Sequence, residues 1–126
     1  MKREILFRGK RVDSSKWIYG SLVVNIHMGK TTYHILTNGM GQVYSNSFEL
    51  IPETLGQYTG LTDKNGTNIF EGDIIDYASK KLIVGWNKMQ HRWSMYCAIK
   101  DSVFIHLHED GVIVGNIHDN PELLEK

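Results

Sequence analysis

The sequence has one cysteine, two prolines, no excess of either charge and no uninterrupted apolar run longer than five residues. Each scarcity excludes something. A lone thiol, Cys97, cannot close an intramolecular disulfide, and there is no CxxC or Cys/His cluster to hold zinc, which points to a reducing compartment. The apolar stretch near the start, Ile5-Leu6-Phe7, falls far short of a signal h-region or of the roughly 20 residues that span a bilayer. A cytoplasmic protein without a membrane partner is expected. Fourteen basic and fourteen acidic side chains cancel, which removes the footprint of a general DNA coat or a polybasic membrane binder. No 3.6-residue apolar stripe lasts three turns, so a helical bundle is excluded. No phosphate-cradling glycine loop, nucleophile elbow or GxGxxG occurs, so neither an enzyme nor a cofactor is expected.

What is present is a period of two. Ile18, Leu22, Val24 and Ile26 alternate with Ser21 and Asn25, predicting a strand over about Trp17 to Ile26 with one face toward a core. Further strands are predicted around Thr32 to Leu36 and Gln42 to Ser45, with Asn38-Gly39 as the turn between them. Thr62 to Thr67 has turn chemistry, followed by a short strand at Ile69-Phe70, a turn at Glu71-Gly72-Asp73 and a strand from Ile74 to Tyr77. Leu82, Val84 and Trp86 lead to a hairpin tip at Asn87 to Gln90. Trp93, Met95, Cys97 and Ile99 return opposite Arg92, Ser94, Tyr96 and Lys100. Val103 to Leu107 and Val112 to Ile117 complete the strands, with a turn at Asp110-Gly111. Asn120 as N-cap, Pro121 at the first helical position and Leu123-Leu124 predict one short C-terminal helix. The expected fold is therefore mainly β with a single helix, either one domain over 1–126 or two β lobes, 1–55 and 56–126.

Charge is distributed in blocks. Residues 1–16 carry a net +4 and residues 49–76 a net −5; residues 77–100 carry five basic and no acidic groups, and residues 101–126 one basic and six acidic. Such alternation suits self-complementary surfaces. A homo-oligomer is expected, with the basic segment from Lys2 to Lys16 meeting an acidic stretch of a neighbour.

Three stretches carry a family resemblance: Gly56-Gln57-Tyr58-Thr59-Gly60-Leu61, Asp63-Lys64-Asn65-Gly66, and Ile69-Phe70-Glu71-Gly72-Asp73-Ile74. With Phe7-Arg8, Trp17-Ile18-Tyr19-Gly20, Trp86 and Val114-Gly115-Asn116-Ile117-His118-Asp119-Asn120-Pro121-Glu122-Leu123-Leu124, the order over nearly the whole chain resembles the YopX family of small phage and prophage proteins. Phe70 stands where that family has Tyr, and Arg8-Gly9-Lys10-Arg11 where many relatives continue with Ala-Trp-Asp. The resemblance implies phage or prophage origin, a bacterial host cytoplasm and SH3-like, partly open small barrels; it implies no reaction.

In physical terms the shared residues are scaffolding first. Gly60, Gly66 and Gly72 suit positive φ, and Asp63 and Asp73 suit turn amides. The candidate binding surface is the loop from Tyr58 to Asp73, with Tyr58, Asp63, Asn65, Phe70, Glu71 and Asp73. The alternative is a single-strand nucleic-acid binder using Lys80, Lys81, Lys88, Arg92, Tyr96 and Lys100, with Trp86 and Trp93 read as core. A remote alternative is a metal site at His106 and His108, two apart on one strand face. Taking Asp63 as position one of a calcium loop puts Asn68 where glycine belongs and Ile74 where glutamate belongs, so that reading fails. Cys97 falls on an apolar face, where a thiol is inert. The expected function is a non-enzymatic phage accessory module that binds itself or another phage or host protein.

Overall fold

The computed structural model describes residues 4–37, 46–97, 104–107 and 109–124, which form two compact units, Met1–Tyr58 and Thr59–Lys126. The predicted turn at Asn38-Gly39, the predicted strand over residues 42–45, and Ile99, Lys100, Val103 and His108 lie outside the described residues.

The first unit contains β1 (Phe7–Lys10), β2 (Trp17–His27), β3 (Lys30–Thr37), β4 (Asn46–Glu49), a 3₁₀ turn at Pro52–Thr54 and the first residues of β5 (Gly56–Thr62). Its antiparallel order is β4-β3-β2-β1-β5. Ile35 and Leu50 are fully buried at its centre. Gly9 is pressed against Leu50, whose Cδ1 stands 2.6 Å from where a Cβ would be. Thr54 Oγ1 accepts the Lys10 N–H at 2.8 Å and donates to the Ile51 carbonyl at 2.6 Å, tying the 3₁₀ turn to β1. The guanidinium of Arg8 lies 4.6 Å above the Trp17 ring and that of Arg11 lies 4.0 Å above Phe48, so part of the basic N-terminal segment packs on aromatic faces of its own unit. Strands β1, β4 and β5 are short or glycine-containing and escape the periodicity of the sequence.

In the second unit β5 continues beside β6 (Asn68–Phe70). A five-stranded antiparallel sheet follows, of β7 (Asp73–Tyr77), β8 (Lys80–Asn87), β9 (Arg92–Tyr96), β10 (Phe104–His106) and β11 (Val112–Asn116), in the order β10-β9-β8-β7-β11. Ile69, Ile75, Leu82, Val84 and Met95 form its core, with Leu61, Trp93, Cys97, Ile105 and Ile113 packed against it. The opposite face is buried too, at Ile74, Ile83 and Ser94. No closed barrel forms among the described residues.

Three expectations are corrected. The C-terminal helix is a single 3₁₀ turn, Pro121–Leu124. Leu123 N–H reaches the Asn120 carbonyl at 3.1 Å in the i→i+3 pattern, and the Asn120 side chain accepts the Asn116 amide at 3.2 Å instead of capping a following turn. Trp86 is not core: β7 pairs with β8 no further than Ile74 opposite Ile83, so the tip of β8 overhangs and leaves Trp86 47% exposed, edge-on to Trp93 at 5.2 Å. Val24 and Ile26 are not core either, for the analogous reason given below. No helix among the described residues is long and apolar enough to cross a membrane.

Candidate functional site

Of the six loop residues singled out, three are structural. Asp63 is 5% exposed; its Oδ1 accepts the amides of Asn65 and Thr67, both at 2.9 Å, and its Oδ2 accepts the amide of Ile113 on β11 at 3.0 Å. Burial alone raises its pKa, but the amides of Ile113, Thr67, Asn65 and Gly66 outweigh burial and hold the carboxyl below its ordinary value. Asp73 is buried, with Oδ2 on the Phe70 amide at 2.8 Å, and Phe70 is itself buried. Gly60, Gly66 and Gly72 have φ of 90°, 84° and 92°, as the turns require. Asn65 is exposed at the loop tip; Tyr58 belongs to the first unit, and Glu71 is half-buried. The loop is pinned from several sides: Lys64 N–H donates to Gly111, Gly72 N–H to Val84 and Ile117 N–H to Gly72. The six residues do not form one surface.

The basic set is also dispersed. Lys80 and Lys81 sit at the start of β8 and Lys88 just beyond its end, about 20 Å along a strand. Lys81 Nζ faces Asp76 at 3.3 Å, and Arg92 is held by Gln90 at 2.5 Å. Lys100 is outside the described residues. Tyr96 lies across Gly85, where an added Cβ would meet its ring at 2.8 Å. Tyr96 and Gly85 border an open cleft of about 440 Å³ shared with Glu71, Gly72, Lys88 and Ile117. His106 is exposed on β10 opposite Ser94, and among the described residues no three His, Cys, Asp or Glu gather where a metal ion could be held.

The feature that the sequence reading did not single out is the outer half of the β2–β3 hairpin. β1 pairs with β2 only from Trp17 to Gly20, and β4 pairs with β3 only from His34 to Thr37, so the ribbon from Ser21 to Tyr33 overhangs. Its turn, Met28-Gly29, has φ of 51° and 78°, the two-residue form whose twist suits a hairpin. One face of the ribbon holds Leu22 opposite Ile35, then Val24 opposite Tyr33, then Ile26 opposite Thr31. Exposure climbs along it from Ile35 at 0% through Val24 at 50% and Ile26 at 71% to Met28 at 91%. An apolar stripe thus begins in the core of the unit and runs out into solvent. Val23 and Tyr19 are exposed on the other face.

The sequence matches the YopX protein family over residues 6–125. The chain belongs to that family. Among solved structures, the crystal structure of protein EF1440 from Enterococcus faecalis is similar to this YopX-family chain at 22% identity with a TM-score of 0.56, covering 98% of this chain and 100% of that one; the likeness is one of fold. No curated protein matches. The family motifs map onto the pinned loops, including Asn116, whose Oδ1 accepts the amides of His118 and Asp119 at 3.0 and 2.9 Å. The hairpin surface had one legible signal: the alternation of Leu22, Val24 and Ile26 persists to the turn, and no charged side chain interrupts residues 20–26.

Proposed function

We propose that this YopX-family chain is a non-enzymatic binding module of phage or prophage origin whose working surface is the outer half of the β2–β3 hairpin. The observation that carries the reading is the apolar stripe at Val24, Ile26 and Met28, uncovered along an overhanging ribbon. Isolated two-stranded ribbons are marginal in water, and contiguous exposed apolar surface marks interaction sites. In support of a binding role rather than a catalytic one, the buried carboxylates of Asp63 and Asp73 are engaged by backbone amides. The second unit, with its five-stranded antiparallel sheet, is read as an SH3-like, partly open barrel that serves as scaffold. Lysine-directed cross-linking in cells producing the protein tests the assignment. Intermolecular links at Lys30, beside the hairpin turn, are expected; links confined to Lys80, Lys81 and Lys88 would overturn it.

A second reading, a single-strand nucleic-acid binder, is favoured by one observation: Trp86 is exposed near Lys88 and Arg92 at the β8–β9 tip, an aromatic platform beside positive charge. A salt titration against single-stranded oligonucleotides decides it, with absence of binding at low salt discarding the reading.

A further inference from the structure

Resting on the hairpin as the working surface, we infer that its occupant is a second copy of this chain, added edge to edge along β2. From Ser21 to His27 the only ladder partner of β2 among the described residues is β3, so its other edge presents main-chain donors and acceptors to an incoming strand. Natural edges are usually blunted by lysine, proline or inward charge; Ser21 to Ile26 carries none of these.

The edge is compatible with a second copy of itself. In an isologous contact residue i meets residue j and j meets i, so the edge must be complementary to itself. This edge is neutral, and the whole chain has a formal net charge of zero, so two copies approach without repulsion. The alternation agrees. Val24 is the midpoint of the open edge from Ser21 to His27, and an antiparallel pairing about it sets Val24 against Val24, Leu22 against Ile26 and Val23 against Asn25 of the second copy. The apolar face is continued across the joint. A slip of one residue would set Val24 against Asn25 or Ile26 against Ser21, so the pattern specifies the register. The joint would convert two marginal ribbons into one four-stranded sheet and flank Val24 and Ile26 with apolar side chains of the second copy.

Gel filtration with light scattering reads the assembly, and cysteine variants in a Cys97→Ala background read the register. Twice the chain mass is expected for the wild type, unchanged by salt because the edge carries no charge. Val24→Lys is expected to run as a monomer with the wild-type far-ultraviolet circular dichroism. On mild oxidation Val24→Cys should form an intermolecular disulfide, its two Cβ atoms lying about 5 Å apart in a cross-strand pair. Ile26→Cys should not, since its copies lie about 14 Å apart along the strands. A wild-type monomer at high micromolar concentration would overturn self-pairing; the binding-module reading would then stand if Lys30 cross-links to a different protein and fall if it cross-links to nothing. A dimer that survives Val24→Lys, dissociates in salt, or links Ile26→Cys as readily as Val24→Cys would overturn the β2 edge as the joint.

Discussion

Two hairpins in this chain are closed by the same kind of turn and meet opposite fates. Met28-Gly29 joins β2 to β3 with φ of 51° and 78°, and Ala78-Ser79 joins β7 to β8 with φ of 51° and 66°. Both are two-residue turns with positive φ, and both join strands that contain β-branched residues. β11 flanks β7 from Asp73 to Asp76 and β9 flanks β8 from Ile83 to Asn87, and Ile74, Ile75, Leu82, Ile83 and Val84 are all buried. Among the described residues β2–β3 has strand neighbours only at its base, and Val24 and Ile26 of the same chemistry are exposed. Local sequence makes a hairpin, whereas burial is conferred by the strands on either side.

The contrast is broken most strongly by truncating one residue in each hairpin. Ile75→Ala should lower unfolding free energy in urea by about 2–5 kcal/mol, because it leaves a cavity in a closed core. Ile26→Ala should fall within about 0.5 kcal/mol in the Val24→Lys background, where its side chain has no core to leave. Similar costs at the two sites would show that the hairpins are buried alike.

Asp63→Ala should cost about 1–3 kcal/mol in the same urea assay, since it strips the acceptor from the part-buried Ile113 amide that fastens β11 to the turn. Its pH dependence follows from the sign of the shift. A carboxyl held below its ordinary value when folded contributes stability above that value and loses it as pH falls through the folded pKa. The gap between wild type and Asp63→Ala should therefore be constant near neutrality and shrink below about pH 4. A gap that widened on acidification would contradict the amide-clamp account.

Gly85→Ala sharpens the comparison from the packed side. Its new methyl meets the Tyr96 ring, and a drop in calorimetric midpoint equivalent to about 1–3 kcal/mol is expected. The smallest effect belongs to the free hairpin. Met28→Asn should stabilise the turn by about 0.5 kcal/mol, because Asn tolerates the left-handed region better than Met. Chemical-shift changes confined to β2–β3 would accompany it.

Much of this was legible in the residues alone. The alternation of Leu82 and Val84, and of Trp93, Met95 and Cys97, places them on one face of a strand wherever that strand ends up, because the side-chain period of a strand is two. Turn chemistry at Asp63 to Gly66 and at Gly72 is likewise local, as only certain residues accept those dihedrals or supply those acceptors. The family, too, could be read from the order of motifs. Tertiary structure alone decided which apolar faces are covered. Trp86 and Ile26 follow the same alternation as their buried neighbours, yet both overhang because the adjacent strand stops short. Asp63 and Glu71, close in sequence, are separated in role by a partner fifty residues away, the amide of Ile113. The short C-terminal segment had the signals of a helix and too few residues to offset nucleation, so neighbouring side chains drew it into a 3₁₀ turn. Periodicity is a property of the strand; coverage is a property of what lies beside it, and on that difference rests the proposal that the β2–β3 ribbon is a binding surface.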